Sequence, residues 1–546
     1  MLWKGSLMTQ LFPEWLEAKP MIEAVKVELT PPRLGDNIAD LDRLTRALAA
    51  QGFAPVLVDP GQLGRLAAAI RRLGYRATAI LGFVRLGWEL LDVVPIDAGP
   101  PLLGCALDLG TTSLAFYLVD LQTARVIAQT SVKNPQIPYG EDILTRIIYA
   151  RSPENLEHLR HLLLDTIRAA LSRLVQDLGA DGSAIHVLTV AGNTTMSHFF
   201  LGLDPATICK EPYIPVANTF PILPAAMLDL GIHPRAPVYV FPNVGSYFGG
   251  DLIAGILATG MRRRDELSLL VDVGTNAEVV LGNRDWLIAC AGAAGPALEG
   301  GVVERGMMAA PGAIDRVRID PETDQLSYSV LGGGKPVGIC GSGLIDLLAQ
   351  MFLAGLLTIQ GKINTDLACP RIRHTEDGPA FVVAFGEETA DGEDLLVTQI
   401  DIGILLKSKA AMYTILNVIC NKVGVSLKDL AHFYVAGAFG NHIDPEMAIT
   451  IGMLPDLPLS TFEGLGNTAG RGAAMLLLDR GLFEDIDSVC RQITYVELNV
   501  NMELMNEFRG ATFIPHTDPR LFPSVGIPEK AMGKGVGHAG QAPSIG

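Results

Sequence analysis

The chain has 546 residues, 49% of them hydrophobic, which is enough to build the cores of three or four domains. Its formal net charge of −17 argues against nucleic acid as a partner, because a phosphate backbone binds basic surfaces. No apolar run reaches transmembrane length, and charged residues and proline interrupt residues 1–20 where a signal peptide would lie, so we expect a cytoplasmic protein with no membrane contact.

Strand and helix patterns alternate after a lead-in of residues 1–24 and predict a small α/β module over residues 25–100. A segment rich in glycine and proline at residues 97–101 predicts a linker to the next domain. The predicted strands cover 25–29, 54–58 and 76–83, and the predicted helices cover 36–51 and 62–73.

The next domain, predicted at residues 101–262, opens with an apolar strand that contains Asp108 and runs into Gly110, Thr111 and Thr112. An alternating strand, a turn and a further apolar strand follow, which together predict a hairpin. Glycine lets peptide N–H groups approach an anion, and threonine hydroxyls can donate to phosphate oxygens. Later elements of this domain are helices at 152–178 and 252–258 and strands at 185–190 and 238–241.

The same hairpin pattern returns 164 residues later (272 − 108), with Asp272, Gly274, Thr275 and Asn276 in the corresponding places. It opens a second domain predicted at residues 263–525. The remaining residues, 526–546, are rich in glycine, proline, lysine and alanine, which predicts a disordered tail.

Two further glycine-rich turns lie in the second domain. Gly341, Ser342 and Gly343 precede a predicted helix at 344–357, and an apolar strand from residue 433 runs into Gly437, Ala438 and Gly440. Only very small residues let an aromatic ring approach the backbone closely, and the first turn of a helix presents N–H groups to anions. For residues 341–343 there are two equally good interpretations: a helix start that binds an anion, or a helix start that needs glycine for close packing.

A duplicated strand–acid–Gly–Thr hairpin is suited to binding the phosphates of a nucleotide from two sides. We therefore expect ATP to be the ligand. The carboxylates of Asp108 and Asp272 would hold Mg²⁺ through water, since this ion prefers hard oxygen ligands and keeps several waters. A single copy would be an ordinary strand-to-turn element, with the acid accepting backbone hydrogen bonds. A Walker-type loop and a dinucleotide fingerprint directly after a strand are both lacking from the sequence.

These stretches resemble the superfamily of acetate and sugar kinases, actin and heat-shock chaperones, and within it the reductive activators of corrinoid proteins. The resemblance covers about residues 25–522 and implies an α/β fold with duplicated actin-like (ribonuclease H-like) ATPase domains after the small N-terminal module. It is carried by residues 106–113, 134–142, 191–196, 294–300, 338–343 and 435–440.

The resemblance also implies the activity and the roles of the residues. An ATPase would return the cobalt of a corrinoid protein from Co(II) to Co(I), with a conformational change driven by ATP. The first hairpin and the second hairpin would face the phosphates from the two domains. Residues 341–343 would abut the nucleotide, and Gly437, Ala438 and Gly440 would lie against adenosine.

The sequence departs from these activators in one respect. They usually carry an iron–sulfur domain, whereas the seven cysteines of this chain are scattered without a Cys-x-x-Cys pair, so no iron–sulfur cluster is evident. We therefore expect a separate iron–sulfur or flavin electron donor. A homodimer is an expectation from the resemblance alone.

Two carboxylate sites compete for orienting the attacking water. Asp251 opens a predicted helix just before the second hairpin, where sugar kinases of the superfamily place a catalytic aspartate. The second site is Glu141 or Asp142, in a polar loop after the first hairpin. For both, an ordinary acid in the first turn of a helix is the alternative.

Two other functions fit the same motifs. A small-molecule kinase would phosphorylate a sugar or an acid between the two domains. An actin-like or chaperone-like scaffold would turn ATP over slowly without a redox task.

Overall fold

The computed structural model describes residues 12–97, 101–274, 277–292, 301, 303–320, 323, 325–440, 442–496 and 502–532. These residues form two compact units. Unit 1 extends to Gly260 and also includes Thr468–Gln492, and unit 2 comprises Met261–Asn467 and the residues from Ile493 onward. The predicted domain boundary after residue 262 lies close to residue 260, where the chain first passes from unit 1 to unit 2. The return of residues 468–492 to unit 1 was not expected.

Strands and helices alternate along most of the described chain. The strands are β1 (Ile22–Glu28), β2 (Val56–Leu57), β3 (Arg76–Phe83), β4 (Trp88–Pro95), β5 (Leu103–Leu109), β6 (Ser113–Asp120), β7 (Arg125–Lys133), β8 (Ile185–Gly192), β9 (Leu223–Pro224), β10 (Pro237–Val240), β11 (Ser268–Val273), β12 (Ala277–Gly282), β13 (Leu287–Gly292), β14 (Ala313–Ile319), β15 (Leu326–Val330), β16 (Gly338–Ile339), β17 (Ile372–Thr375), β18 (Gly378–Ala384), β19 (Leu395–Thr398), β20 (His432–Ala436), β21 (Phe462–Gly466) and β22 (Ile493–Tyr495). The helices are α1 (Asp40–Ala50), α2 (Leu63–Arg72), α3 (Ile143–Tyr149), α4 (Pro153–Gln176), α5 (Thr194–Leu201), α6 (Gly250–Thr259), α7 (Gly341–Leu353), α8 (Gln399–Lys422), α9 (Gly437–Gly440), α10 (Pro445–Thr450), α11 (Thr468–Leu478), α12 (Leu482–Gln492) and α13 (Met502–Ala511).

The N-terminal module is a four-stranded sheet of order β1-β3-β4-β2. Leu44 and Leu48, four residues apart on α1, are fully buried in its core, as the amphipathic pattern predicted. The module is fastened to the rest of unit 1 by charged side chains. The guanidinium of Arg235 forms salt bridges with Asp59, at 2.8 Å, and with Glu89.

The two larger sheets repeat one topology. Unit 1 contains the order β7-β6-β5-β8-β10-β9, and unit 2 contains β13-β12-β11-β20-β21 with β22 added beside β13. In each sheet the first three of these strands are antiparallel, and the next two run parallel to the strand that carries the acid. The repeated order confirms the predicted duplicated α/β fold.

Helix α8 is a 24-residue helix whose length and composition would allow it to cross a membrane, which the sequence pattern had not indicated. However, 72% of the most apolar 18-residue stretch of this helix is buried within the structure, where the helix packs on β12 and β13. Helix α8 is therefore a core helix of unit 2.

The end of the described chain packs on α8. The side-chain Nζ of Lys409, which is fully buried, donates to the carbonyls of Phe513 and Pro515, the latter at 2.8 Å. The predicted disorder from residue 526 is wrong for residues 526–532. Ala531 is fully buried, and its carbonyl accepts from the N–H of Ile359 at 3.0 Å. Residues 533–546 lie outside the described residues.

Helix α11 explains why residues 468–492 belong to unit 1. It packs on β5, β8 and α6, and Gly472 lies so close to α6 that an added Cβ would be 1.9 Å from the carbonyl oxygen of Ala254. No side chain fits at this crossing point.

Substituting Gly472 with alanine is expected to destabilise the protein by roughly 1–3 kcal/mol, because the new methyl group must push α11 away from α6. Gly403 in α8 is the matched control. It is a helical glycine with no neighbour within 4 Å of an added Cβ, so Gly403→Ala is expected to stabilise by about 0.5–1 kcal/mol. Chemical denaturation of the two variants measures both effects. Equal stability of Gly472→Ala and wild type would contradict the packing described here.

Candidate functional site

The first half-site lies where β5 ends in unit 1. Asp108 is partly buried, Thr111 is partly exposed and Thr112 is exposed. Gly110 makes the turn, and an added Cβ there would be 2.5 Å from the carbonyl oxygen of Ser113. The structure thus places the four predicted residues of this hairpin together at the edge of the sheet.

Asn134 donates two hydrogen bonds to this turn. Its side-chain Nδ2 donates to the carbonyl of Gly110 at 2.9 Å, and its backbone N–H donates to the carbonyl of Thr112 at 2.9 Å. Asn134 is 1% exposed, and its Oδ1 accepts from the N–H of Gln136 at 2.9 Å. The sequence had indicated residues 134–142 only through the family resemblance, without a role for Asn134.

A buried positive charge lies in the same region. Arg146 is fully buried, and its Nε donates to the carbonyl of Gly140 at 2.7 Å. Its side chain also contacts the sulfur of Met196 at 3.7 Å, and the amide nitrogen of Asn134 lies 3.8 Å from the same sulfur. Burial lowers the pKa of Arg146 to about 10, so the guanidinium stays charged at neutral pH.

The second half-site in unit 2 has the same layout. Asp108 lies opposite Ala191 of β8, and Asp272 lies opposite Ala436 of β20, the strand in the equivalent position. Gly274 follows β11 directly. Thr275 and Asn276 lie outside the described residues, as does the stretch 294–300, so their predicted roles stay predictions.

In both half-sites a glycine lies at the C-terminal end of the neighbouring strand: Gly192 is the last residue of β8, and Gly437 follows β20 directly. An added Cβ at Gly192 would be 2.9 Å from the carbonyl oxygen of Leu109, the residue after the first acid. An added Cβ at Gly437 would be 3.0 Å from the carbonyl oxygen of Val273 and 3.2 Å from Oδ1 of Asp272. Gly437 also has φ of +81°, a conformation that other residues rarely adopt. Both sites therefore require glycine here.

The remaining predicted contacts lie in α7 and α9. Ala438 is part of α9, and an added Cβ at Gly440 would be 2.2 Å from the carbonyl oxygen of Val435. At the start of α7, an added Cβ at Gly343 would be 2.4 Å from the carbonyl oxygen of Ile314. The hydroxyl of Ser342 donates to the carbonyl of Asp315 at 3.2 Å. Close packing therefore explains Gly343, while a nucleotide contact of the Gly341–Gly343 turn stays a prediction.

The two candidate acids differ in environment. Asp251 lies in the first turn of α6, where its Oδ1 accepts from the N–H of Leu252 at 2.8 Å. Burial raises its pKa to about 6, which is a usual feature of acids and bases with a catalytic task. Glu141 is exposed, and the next residue, Asp142, caps α3 by accepting from the N–H of Thr145 at 2.9 Å. The environment favours Asp251.

Within the described residues, no group of three or more histidine, cysteine, aspartate or glutamate side chains could hold a metal ion. Cys340 directly precedes α7, where it is 1% exposed and its sulfur lies 3.3 Å from the carbonyl oxygen of Ile314. It is a small buried core residue.

Comparison with known proteins finds relatives over almost the whole chain. Three family models match in order, described as the RACo linker region (residues 14–99), the RACo middle region (103–264) and the C-terminal domain of RACo, the ASKHA domain (266–526). Corrinoid activation enzyme RamQ of Eubacterium limosum is 32% identical over 431 residues, which are 77% of this chain and 72% of that protein. The [Co(II) methylated amine-specific corrinoid protein] reductase of Methanosarcina barkeri is 26% identical, over 74% of this chain and 75% of that protein.

A solved structure of a reductive activator for corrinoid, iron–sulfur protein superposes with a TM-score of 0.86. It is 39% identical, and the match covers 94% of this chain and 82% of that chain. The duplicated sheets, the hairpins and the small N-terminal module are therefore shared with a protein of known fold.

The raised pKa of Asp251 has a consequence for stability. An aspartate in the unfolded chain has a pKa near 3.8, so the folded state disfavours the charged form that prevails above about pH 6. The destabilisation grows as the pH rises from 4 to 6 and is absent at lower pH, where the group is protonated in both states. Asp251→Asn is thus expected to stabilise the protein by about 1–3 kcal/mol at pH 8 and by much less at pH 4.

The same variant is expected to lose about a hundredfold in ATP hydrolysis, because an amide cannot accept the proton of water or orient it as a carboxylate does. Wild-type hydrolysis should fall as the pH decreases through about 6. Denaturation at the two pH values and steady-state phosphate release measure these effects. Glu141→Gln is the matched control, with unchanged stability at both pH values. If Glu141→Gln loses hydrolysis and Asp251→Asn does not, the assignment is reversed.

Proposed function

We infer, because the chain belongs to the RACo family of corrinoid activators, that it couples ATP hydrolysis to the reduction of Co(II) to Co(I) in a corrinoid protein. Two relatives that match about three quarters of the chain are named as a corrinoid activation enzyme and as a reductase of a Co(II) corrinoid protein, and the ASKHA domain is matched over residues 266–526. The chain spans more than two thirds of the length of both relatives. The function is therefore that of a reductive activase.

The observation that carries the ATPase assignment is the repeated half-site. Each copy places an acid at the end of a buried strand, with a glycine at or just after the end of the neighbouring strand packed against the residue that follows the acid. A nucleotide that contacts both copies would favour one arrangement of two domains, and hydrolysis would release it. We propose that Thr111 and Thr112 donate hydroxyl hydrogen bonds to the phosphates from unit 1, and that Thr275 and Asn276 do so from unit 2.

The residues present fit a magnesium ion. The carboxylates of Asp108 and Asp272 are only partly buried at the strand ends, and carboxylate oxygens are the ligands that Mg²⁺ accepts directly or through water. When bound, the ion neutralises charge on the phosphates. Asp251 orients the attacking water in this proposal.

The redox step is an addition of one electron to Co(II) to give Co(I). An uphill transfer of roughly 300 mV costs about 7 kcal/mol per electron, which ATP hydrolysis can supply. We propose that the electron comes from a separate iron–sulfur or flavin donor, because both groups transfer single electrons. We also propose that the activator works as a homodimer, as expected from the family.

The decisive experiment mixes the protein with a corrinoid protein in the Co(II) state, a low-potential external reductant and Mg·ATP. Absorbance is expected to show Co(I) formation only when ATP is present, and phosphate release is expected to rise when the Co(II) corrinoid protein is added. ATP turnover that responds to a small sugar or acid, with no change at cobalt, would instead identify a small-molecule kinase.

Asp108→Asn and Asp272→Asn are each expected to slow Co(I) formation and phosphate release by about a hundredfold or more, since each removes a carboxylate beside the phosphates. Glu154→Gln is the matched control, because Glu154 is an exposed acid on α4 of unit 1 and should leave both rates unchanged. Wild-type rates in both aspartate variants would exclude the hairpins as the ATP site.

A further inference from the structure

Asn193 connects the first hairpin to a helix. It is the residue before α5, and its Oδ1 accepts from the N–H of Met196 at 2.9 Å, which caps the helix. Its Nδ2 donates to the hydroxyl oxygen of Thr111 at 3.0 Å. One side chain thus satisfies a helix end and contacts a predicted phosphate ligand.

The orientation of this amide is fixed. If the oxygen and nitrogen of Asn193 were exchanged, the amide NH₂ would face the N–H of Met196, and two donors would meet. Nδ2 can only donate, so the hydroxyl oxygen of Thr111 accepts in this contact. The hydroxyl proton of Thr111 is then free to be donated to another acceptor.

The backbone of Asn193 is also fixed in place. An added Cβ at Gly249, the residue before α6, would be 2.4 Å from the Cα of Asn193 and 2.6 Å from Oδ1 of Asp251. Gly192, the residue before Asn193, packs against Leu109 at the end of β5. Asn193 therefore lies between the hairpin and the candidate water-orienting acid.

The second copy differs at the equivalent position. Val190, Ala191 and Gly192 are followed by Asn193, whereas Val435, Ala436 and Gly437 are followed by alanine at 438. The sequence repeat thus places an amide side chain beside the hairpin of unit 1, and the matching position of unit 2 has none.

We propose that Asn193 is a positioning residue that turns the O–H of Thr111 toward a phosphate oxygen of bound ATP. The inference rests on the proposed ATPase function and adds that the two copies of the hairpin contribute differently to phosphate binding. We assign this contact to unit 1, because the position that matches Asn193 in the second copy is Ala438, which has no amide side chain.

The test separates the cap from the hydroxyl contact. Asn193→Asp keeps a capping oxygen for the N–H of Met196 but replaces the donor beside Thr111 with an acceptor, so the threonine hydroxyl would donate to residue 193 instead of to phosphate. Asn193→Ser keeps the cap and leaves Thr111 unrestrained. Calorimetric titration with Mg·ATP is expected to show affinity at least about tenfold weaker for the aspartate variant and a few-fold weaker for the serine variant.

Thermal denaturation supplies the control. Aspartate and serine are good capping residues, so both variants should unfold close to the wild-type temperature, while Asn193→Ala should unfold earlier. If ATP affinity follows thermal stability across the three variants, Asn193 is only a helix cap and the proposal is overturned. Wild-type affinity in Asn193→Asp would also overturn it.

A second series tests the coupling to Thr111. In a Thr111→Val background, Asn193→Ser is expected to cause no additional loss of ATP affinity, because the hydroxyl that it positions is already gone. Additive losses in the double variant would contradict the proposal. Failure of the wild-type protein to bind Mg·ATP at all would reject the ATPase function itself, which is a different outcome from either result.

Discussion

Two strands in each unit approach so closely that only glycine fits where one of them ends, at Gly192 in β8 and at Gly437 directly after β20, and the arrangement of each half-site depends on this contact. Gly192 packs against Leu109, and Gly437 packs against Val273. Each contact fixes the acid-bearing strand against its parallel neighbour and brings the following loop beside the hairpin. A side chain at either position would separate the loop from the acid, because densely packed backbones yield little.

The duplicated layout has been adapted differently in its two copies. In unit 1 the neighbouring strand is followed by a polar side chain and a capped helix, and Asn134 donates hydrogen bonds to the hairpin turn. In unit 2 the same strand is followed by α9, where the small residues predicted to lie against adenosine are found. One copy thus supplies polar groups suited to phosphates, and the other supplies small residues suited to an aromatic ring.

Much of this arrangement was predictable from local sequence. Asp108 and Asp272, with their glycines and hairpins, stood out because a pattern that occurs twice is hard to attribute to chance, and β3 was predicted with its observed bounds. The supports of the hairpin were not predictable. Asn134 and Asn193 contact residues 24 and 82 positions away, and no periodic signal connects residues at such distances. The order of residues 526–532 likewise depends on a distant partner of Ala531, which local composition does not reveal.

Helices α11 and α12 belong to unit 1 but follow most of unit 2 in the chain, so unit 1 cannot be completed until most of unit 2 has been synthesised. The strands β5 and β8 leave the ribosome long before α11, which completes their packing, and most of unit 2 is synthesised in between. At roughly 5–20 residues per second, the nascent unit 1 waits on the order of ten seconds or more with part of its apolar sheet uncovered. Chaperones that bind exposed apolar surface therefore have a defined interval in which to act, and a chain cut anywhere before residue 492 lacks part of both units.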